Sequence, residues 1–171
     1  MPIYTWGRYE GALRRSIQLL KYRHQERIGE TFGGWLGRYW LQTSPRREYL
    51  VIPIPLHRDR LKLRGYNQAE IASRAFCHTV KCRHAPELLR RPKATAAQFG
   101  LNRSQRLRNL QHAFAASPKL ASVRQPVLLF DDIYTTGATV AAARTAIERA
   151  CPQVEIVGVI AIARAMPTES T

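Results

Sequence analysis

The stretch that most restricts the fold is Val127-Leu128-Leu129-Phe130, followed directly by Asp131-Asp132-Ile133-Tyr134-Thr135-Thr136-Gly137-Ala138-Thr139. Four apolar residues in a row suit a strand buried on both faces, as in a parallel sheet covered by helices. Past the Thr/Gly turn, residues 139–150 carry a helical pattern, and residues 154–163 are again apolar and β-branched. Strand, turn, helix and strand in under forty residues predict a right-handed βαβ unit with parallel strands. The fold class implied is α/β, a mainly parallel twisted sheet flanked by helices.

In open α/β sheets, ligands bind where strands end and helices begin. Asp131 and Asp132 stand at that end, and the segment 135–139 turns into the helix. Small hydroxyl residues around a glycine let the backbone approach a phosphate, with N–H groups and the helix N-terminus supplying donors and partial positive charge. Two carboxylates beside such a nest repel an anion unless hydroxyls or a magnesium ion stand between them. A ribose 5-phosphate meets that condition: its phosphate enters the nest while its 2- and 3-hydroxyls donate to Asp131 and Asp132. The segment is not a P-loop, because no Gly-Lys-Ser/Thr is present, and it lacks the glycine spacing of a dinucleotide fingerprint. The plain alternative is a capped helix after a strand, with both aspartates solvated.

Elsewhere the pattern is coarser. Leu13, Ile17 and Leu20 predict an amphipathic helix over 8–21, and Ile28, Phe32, Trp35, Leu36, Tyr39 and Trp40 predict a second with these residues as core stripe. Residues 50–56 read as a buried strand running into a rigid Pro-containing loop. Asn67 and Glu70 form a plausible capping box for a helix that turns Ile71, Ala75, Phe76 and Val80 inward. The polar, Arg-rich segment of about 88–114 is a long connection of the kind that carries function. The organisation expected is one domain over 1–171: N-terminal helices over 1–48 and an α/β core over 49–164, with the 88–114 segment as a mobile hood.

Charge is unevenly placed. The chain holds 27 Lys+Arg against 12 Asp+Glu, a net +15. Residues 120–171 hold four arginines and five carboxylates, so the first 119 residues carry the whole excess, net +16. That suggests a basic surface facing an anionic partner, either nucleic acid or one multiply phosphorylated small molecule. Cys77, Cys82 and Cys151 are odd in number and irregular in spacing, which suits packing in a reducing compartment rather than disulfides or a zinc site. With neither a signal-peptide pattern nor a bilayer-length apolar run, the expectation is a soluble cytoplasmic protein without a membrane partner.

At residues 131–139 the chain resembles the type I phosphoribosyltransferases. Lys21-Tyr22, the run 51–56, Arg64-Gly65-Tyr66-Asn67-Gln68, Gln98, Arg106, Asn109 and Phe114 extend the likeness to the ComF family, from about Tyr9 to Arg164. The four-cysteine zinc module that opens many relatives has no counterpart before Tyr9, so a short or truncated form without zinc is expected. The resemblance implies phosphoribosyl pyrophosphate as ligand. Asp131 and Asp132 would hold the ribose, and Thr135, Thr136, Gly137, Ala138 and Thr139 the 5-phosphate. Ile54, Pro55, Leu56 and Arg64 would receive the pyrophosphate. It implies a hood carrying Gln98, Arg103, Arg106 and Asn109 that also serves nucleic acid, with Arg64 and Arg106 as catalytic candidates. Magnesium would arrive with the ligand, without direct protein ligation. Family members are linked to DNA uptake during natural transformation, which implies single-stranded DNA and the uptake machinery as partners. The oligomeric state stays open, as do two other readings: a nucleobase salvage phosphoribosyltransferase and a non-catalytic sugar-phosphate sensor.

Overall fold

The apolar runs at 50–56 and 127–130 become neighbours in the sheet. A computed structural model describes residues 1–44, 48–92 and 112–166. The elements are β1 (Ile3–Arg8), α1 (Gly11–Tyr22), α2 (Glu26–Thr43), β2 (Leu50–Pro53), α3 (Arg58–Arg64), α4 (Gln68–Val80), β3 (Arg83–His84), β4 (Leu89–Arg90), β5 (Ala115–Ala116), β6 (Val127–Tyr134), α5 (Ala138–Ala150) and β7 (Ile156–Arg164). Five strands form one sheet in the order β1-β7-β6-β2-β3, with every neighbouring pair parallel. The chain leaves β2 through α4 toward β3 and leaves β6 through α5 toward β7, in opposite directions. The crevice between β2 and β6 is therefore the switch point of the sheet, where an α/β fold presents its ligand site.

Because successive strand residues face opposite sides, the sheet has two cores. Leu50, Ile52 and Leu129 meet Val140, Ala143 and Ile147 of α5 on one face. Val51, Leu128 and Phe130 meet Ile17, Leu20, Phe32, Leu36, Trp40 and Phe76 of α1, α2 and α4 on the other. Each large apolar side chain so buried contributes roughly 1.5–3 kcal/mol. This two-faced burial explains why residues 127–130 are uniformly apolar.

Three expectations need correction. The first residues do not lead straight into a helix: Ile3–Arg8 is a sheet strand parallel to β7, and α1 begins only at Gly11. Ile3, Tyr4, Thr5 and Trp6 are all good strand formers, but so short a run declares itself only beside a partner. The strand at 127–130 extends through the acidic pair to Tyr134, where β7 still pairs with it. Trp35 and Tyr39 are not core residues; they are 38% and 49% exposed. The face α2 turns inward is instead Gly29, Phe32, Gly33, Leu36, Gly37 and Trp40. A Cβ at Gly33 would lie 2.1 Å from the Ala72 carbonyl oxygen, and one at Gly37 would lie 2.7 Å from Thr79 Cβ. Glycine lets α4 lie directly on α2, which rotates the aromatic stripe partly into solvent.

The antiparallel pair β4–β5 joins Leu89 to Ala116 and Arg90 to Ala115, bracketing the hood segment. Of that segment, residues 93–111 lie outside the described residues. Among the described residues no helix is long and apolar enough to cross a membrane.

Candidate functional site at the sheet switch point

Strand β2 ends at Pro53, opposite Phe130, and the Ile54 amide closes the pairing on the Phe130 carbonyl at 2.8 Å. β6 runs on past that point, so Asp131 and Asp132 lie beyond the end of β2. Both line a cleft of about 700 Å³. The Asp132 amide donates to Asp131 Oδ1 at 2.8 Å, and Lys21 Nζ sits 2.7 Å from Asp132 Oδ2. With Lys21 and Asp132 side chains only 17% and 14% exposed, this ion pair is largely screened from water.

That environment splits the two acids. Burial first, and then the neighbouring Asp132 charge, push the Asp131 carboxyl up to about 8. Burial pulls Asp132 the same way, but Lys21 and then Arg64 outweigh it and hold its carboxyl below the usual range. At neutral pH the pair therefore shares one proton, carried on Asp131.

The turn after β6 is held by Gly137, at φ 77°, the N-cap of α5. Only glycine enters that region without cost, and a Cβ there would also lie 2.4 Å from Tyr134 Oη. Thr136 Oγ1 accepts from the Ala138 amide at 3.4 Å. Of the five residues expected to form the nest, Thr135 and Thr139 line the cleft with the acids. Thr136, Gly137 and Ala138 form the turn but do not line the cleft.

Opposite stand Ile54, Pro55, Leu56 and Arg64, which line the same cleft. Their placement follows from Arg64-Gly65-Tyr66-Asn67-Gln68, which ties three elements together. Gly65 ends α3 in the left-handed region, and the Tyr66 hydroxyl donates to the Leu20 carbonyl, fixing the end of α1 that carries Lys21. Asn67 Nδ2 donates to the Ile54 carbonyl at 3.0 Å, while its Oδ1 caps α4 on the Ala69 amide at 3.2 Å. Arg64 Nη1 donates to Gln68 Oε1 at 2.9 Å, and its guanidinium lies 5.3 Å from the Tyr22 ring centroid. Glu70, expected to complete the capping box, is in the first turn of α4.

Two cleft residues had no role in the sequence reading. Lys21 stood out only as part of a resemblance; its partnership with Asp132 links positions far apart in the chain. Arg91 is 8% exposed, lies 5.2 Å over the Phe114 ring and lines the cleft. Burial and then nearby Arg60 lower its pKa, and Asp131 counters them. A buried arginine carries no local sequence signal. Gln98, Arg103, Arg106 and Asn109 lie outside the described residues. Among the described residues, four cations, Lys21, Arg60, Arg64 and Arg91, thus line the cleft with the two acids. Such a cleft suits a ligand that is anionic at its ends and rich in hydroxyls between them.

A five-stranded parallel sheet flanked by helices, with this cleft at its switch point, defines an α/β protein compatible with a type I phosphoribosyltransferase-like fold. No protein-family model matches the chain. Over 140 residues, 78% of its length, it is 32% identical to competence protein F of Haemophilus influenzae and covers 60% of that protein. It is 27% identical over 148 residues to competence protein ComFC of Bacillus subtilis, covering 86% of the chain and 57% of the relative. To DNA utilization protein YhgH of Escherichia coli K12 it is 33% identical over 91 residues, 53% of the chain and 39% of the relative. The chain thus spans 39% to 60% of the length of these relatives. The chain is similar to competence and DNA utilization proteins over part of their length.

Proposed function

We propose that the switch-point cleft binds phosphoribosyl pyrophosphate with magnesium, and that the chain serves the use of DNA taken up by competent cells. The observation that carries the first part is the meeting of the Asp131–Asp132 pair, the Thr135 and Thr139 turn, and the 54–56 loop with Arg64 in one cleft. The printed names of the relatives, competence protein and DNA utilization protein, support the second.

In this reading the ribose hydroxyls donate to Asp131 and Asp132, and the 5-phosphate takes the turn that opens α5. The diphosphate lies along Ile54, Pro55 and Leu56, facing Arg64, whose guanidinium offers paired donors to phosphate oxygens. Magnesium would arrive with the diphosphate, without direct protein ligation, and would offset its charge while keeping several waters. Among the described residues no group of three or more metal-ligating side chains stands together; diphosphate and water oxygens would hold the ion. If turnover follows, a nitrogen nucleophile forms a bond to C1 of the ribose as the C1–oxygen bond breaks and pyrophosphate leaves. Positioning and charge complementarity supply the rate.

Thermal unfolding tests the binding. Phosphoribosyl pyrophosphate with magnesium raises Tm, because a ligand specific for the folded state stabilises it by mass action. A Tm unmoved at millimolar ligand defeats the proposal. Pyrophosphate release on adding a panel of nucleobases separates a transferase from a sensor.

A further inference from the structure

Cys77, Cys82 and Cys151 stand apart from the cleft, and the fold divides them. Cys151 packs into the core on the α5 side of the sheet, whereas Cys77 and Cys82 share the opposite core. All three are free thiols. Cys77 lies in the last turn of α4, and the chain reverses directly after it. Lys81, at φ 62°, takes the left-handed conformation that closes the helix. The Lys81 and Cys82 amides both donate to the Cys77 carbonyl, at 2.8 and 3.2 Å. The second bond is the six-to-one bond of a Schellman-type helix end, a motif that commonly brings the side chains at its two limits together. Here both of those side chains are cysteines. The same bond holds their Cα atoms close, as a disulfide requires. Cys82 is held from its other side by the sheet, because the next amide, of Arg83, donates to the Tyr49 carbonyl at 3.1 Å. The spacing of the cysteines gives no pairing signal in the sequence; the helix end creates it.

The two thiols are unequal. Cys77 is 4% exposed, whereas Cys82 is half-buried between exposed Lys81 and Arg83. A hydrogen bond between the thiols, and then burial, push Cys77 up. The same bond pulls Cys82 down, against the effect of burial. Thiolate character and access thus both fall to Cys82, and together they decide which cysteine reacts.

We propose that Cys77 and Cys82 form a site of reversible oxidation, at which a hydroperoxide converts the pair to an intrachain disulfide between the end of α4 and the start of β3. The Cys82 thiolate attacks one peroxide oxygen, the O–O bond breaks and hydroxide leaves, which gives a sulfenic acid. The Cys77 sulfur then attacks Cys82. An S–S bond forms as the S–O bond breaks, and the Cys77 proton leaves with the hydroxyl as water. The two electrons lost by the sulfurs are those that reduce the peroxide. A resolving thiol already in contact stops the oxidation at a stage that thiol exchange reverses. The site is independent of the reading of the cleft.

The test treats the folded full chain with hydrogen peroxide, quenches it, and counts thiols with dithionitrobenzoate after unfolding. The count falls from three to one, and dithiothreitol restores it. Trypsin cuts after Lys81, so the bond shows in mass spectra as two joined peptides, one with Cys77 and one with Cys82, while Cys151 stays reduced. Cys82→Ser keeps both of its thiols through the same treatment. Cys77→Ala leaves Cys82 as a sulfenic acid that dimedone traps; if dichroism shows that variant unfolded, the peptide map of the parent chain decides. Survival of all three thiols in the folded parent overturns the proposal. So does a bond that runs through Cys151 or between chains, and so does Cys82 oxidised to sulfinic acid beside a Cys77 that stays reduced.

Discussion

Asp131 and Asp132 titrate against each other, and the proton that Asp131 keeps near neutrality has consequences on both sides of pH 7. In the proposed complex the ribose hydroxyls donate to both acids, which an ionised pair accepts best, so binding is expected to release that proton. Affinity is therefore expected to rise from about pH 6 to pH 8 and then level, and calorimetry in buffers of different ionisation heat detects the released proton. Asp131→Asn removes this slope. The sign for folding is the reverse: a carboxyl raised to about 8 contributes stability below its unfolded value that is lost as pH rises through the folded one. Asp131→Asn is accordingly expected to stabilise the chain at pH 8 by on the order of 1–2 kcal/mol, with the gain vanishing near pH 4 in urea unfolding. Asp132, held low, contributes in the opposite sense, and its contribution fades as pH falls below the carboxylate range. Lys21→Met leaves Asp132 without its partner at 2.7 Å, and a loss of about 1–3 kcal/mol is expected at pH 7, shrinking in acid.

At the scale of elements, helix α2 depends on being thin where α4 crosses it. Gly33→Val places a branched side chain against the Ala72 carbonyl, so the helices must separate. Overpacking of this kind costs about 3 kcal/mol, which for a chain of this size lowers Tm by roughly 6–12 °C; an unchanged Tm contradicts the packing described. This contact also shows what a sequence reveals and what it hides. The pattern of 127–139 was legible because its features are local: an apolar run, two acids, and a glycine turn opening a helix. The N-cap Asn67 was legible for the same reason. The inner face of α2 was not, because tryptophan and tyrosine at helical spacing outweigh glycine in any hydrophobic pattern, whereas the close approach of α4 selects the glycines. Strand β1 was missed because the strand it pairs with, β7, lies at the far end of the chain. Lys21 and Arg91 gained roles only when the fold carried them to the same cleft.

Over the whole molecule, part of the basic excess is gathered at the ligand cleft. Lys21, Arg60, Arg64 and Arg91 gather at the switch point, where they face the acid pair. A ligand enclosed between partly buried cations is screened less by salt than one held at an exposed surface. The central claim, however, concerns the cleft. Its most direct measurement is calorimetric titration of phosphoribosyl pyrophosphate, in magnesium, into the parent chain and into folded Asp131→Ala/Asp132→Ala. The parent is expected to bind one ligand per chain and the double variant to give no binding heat; equal affinity in the two would contradict the account.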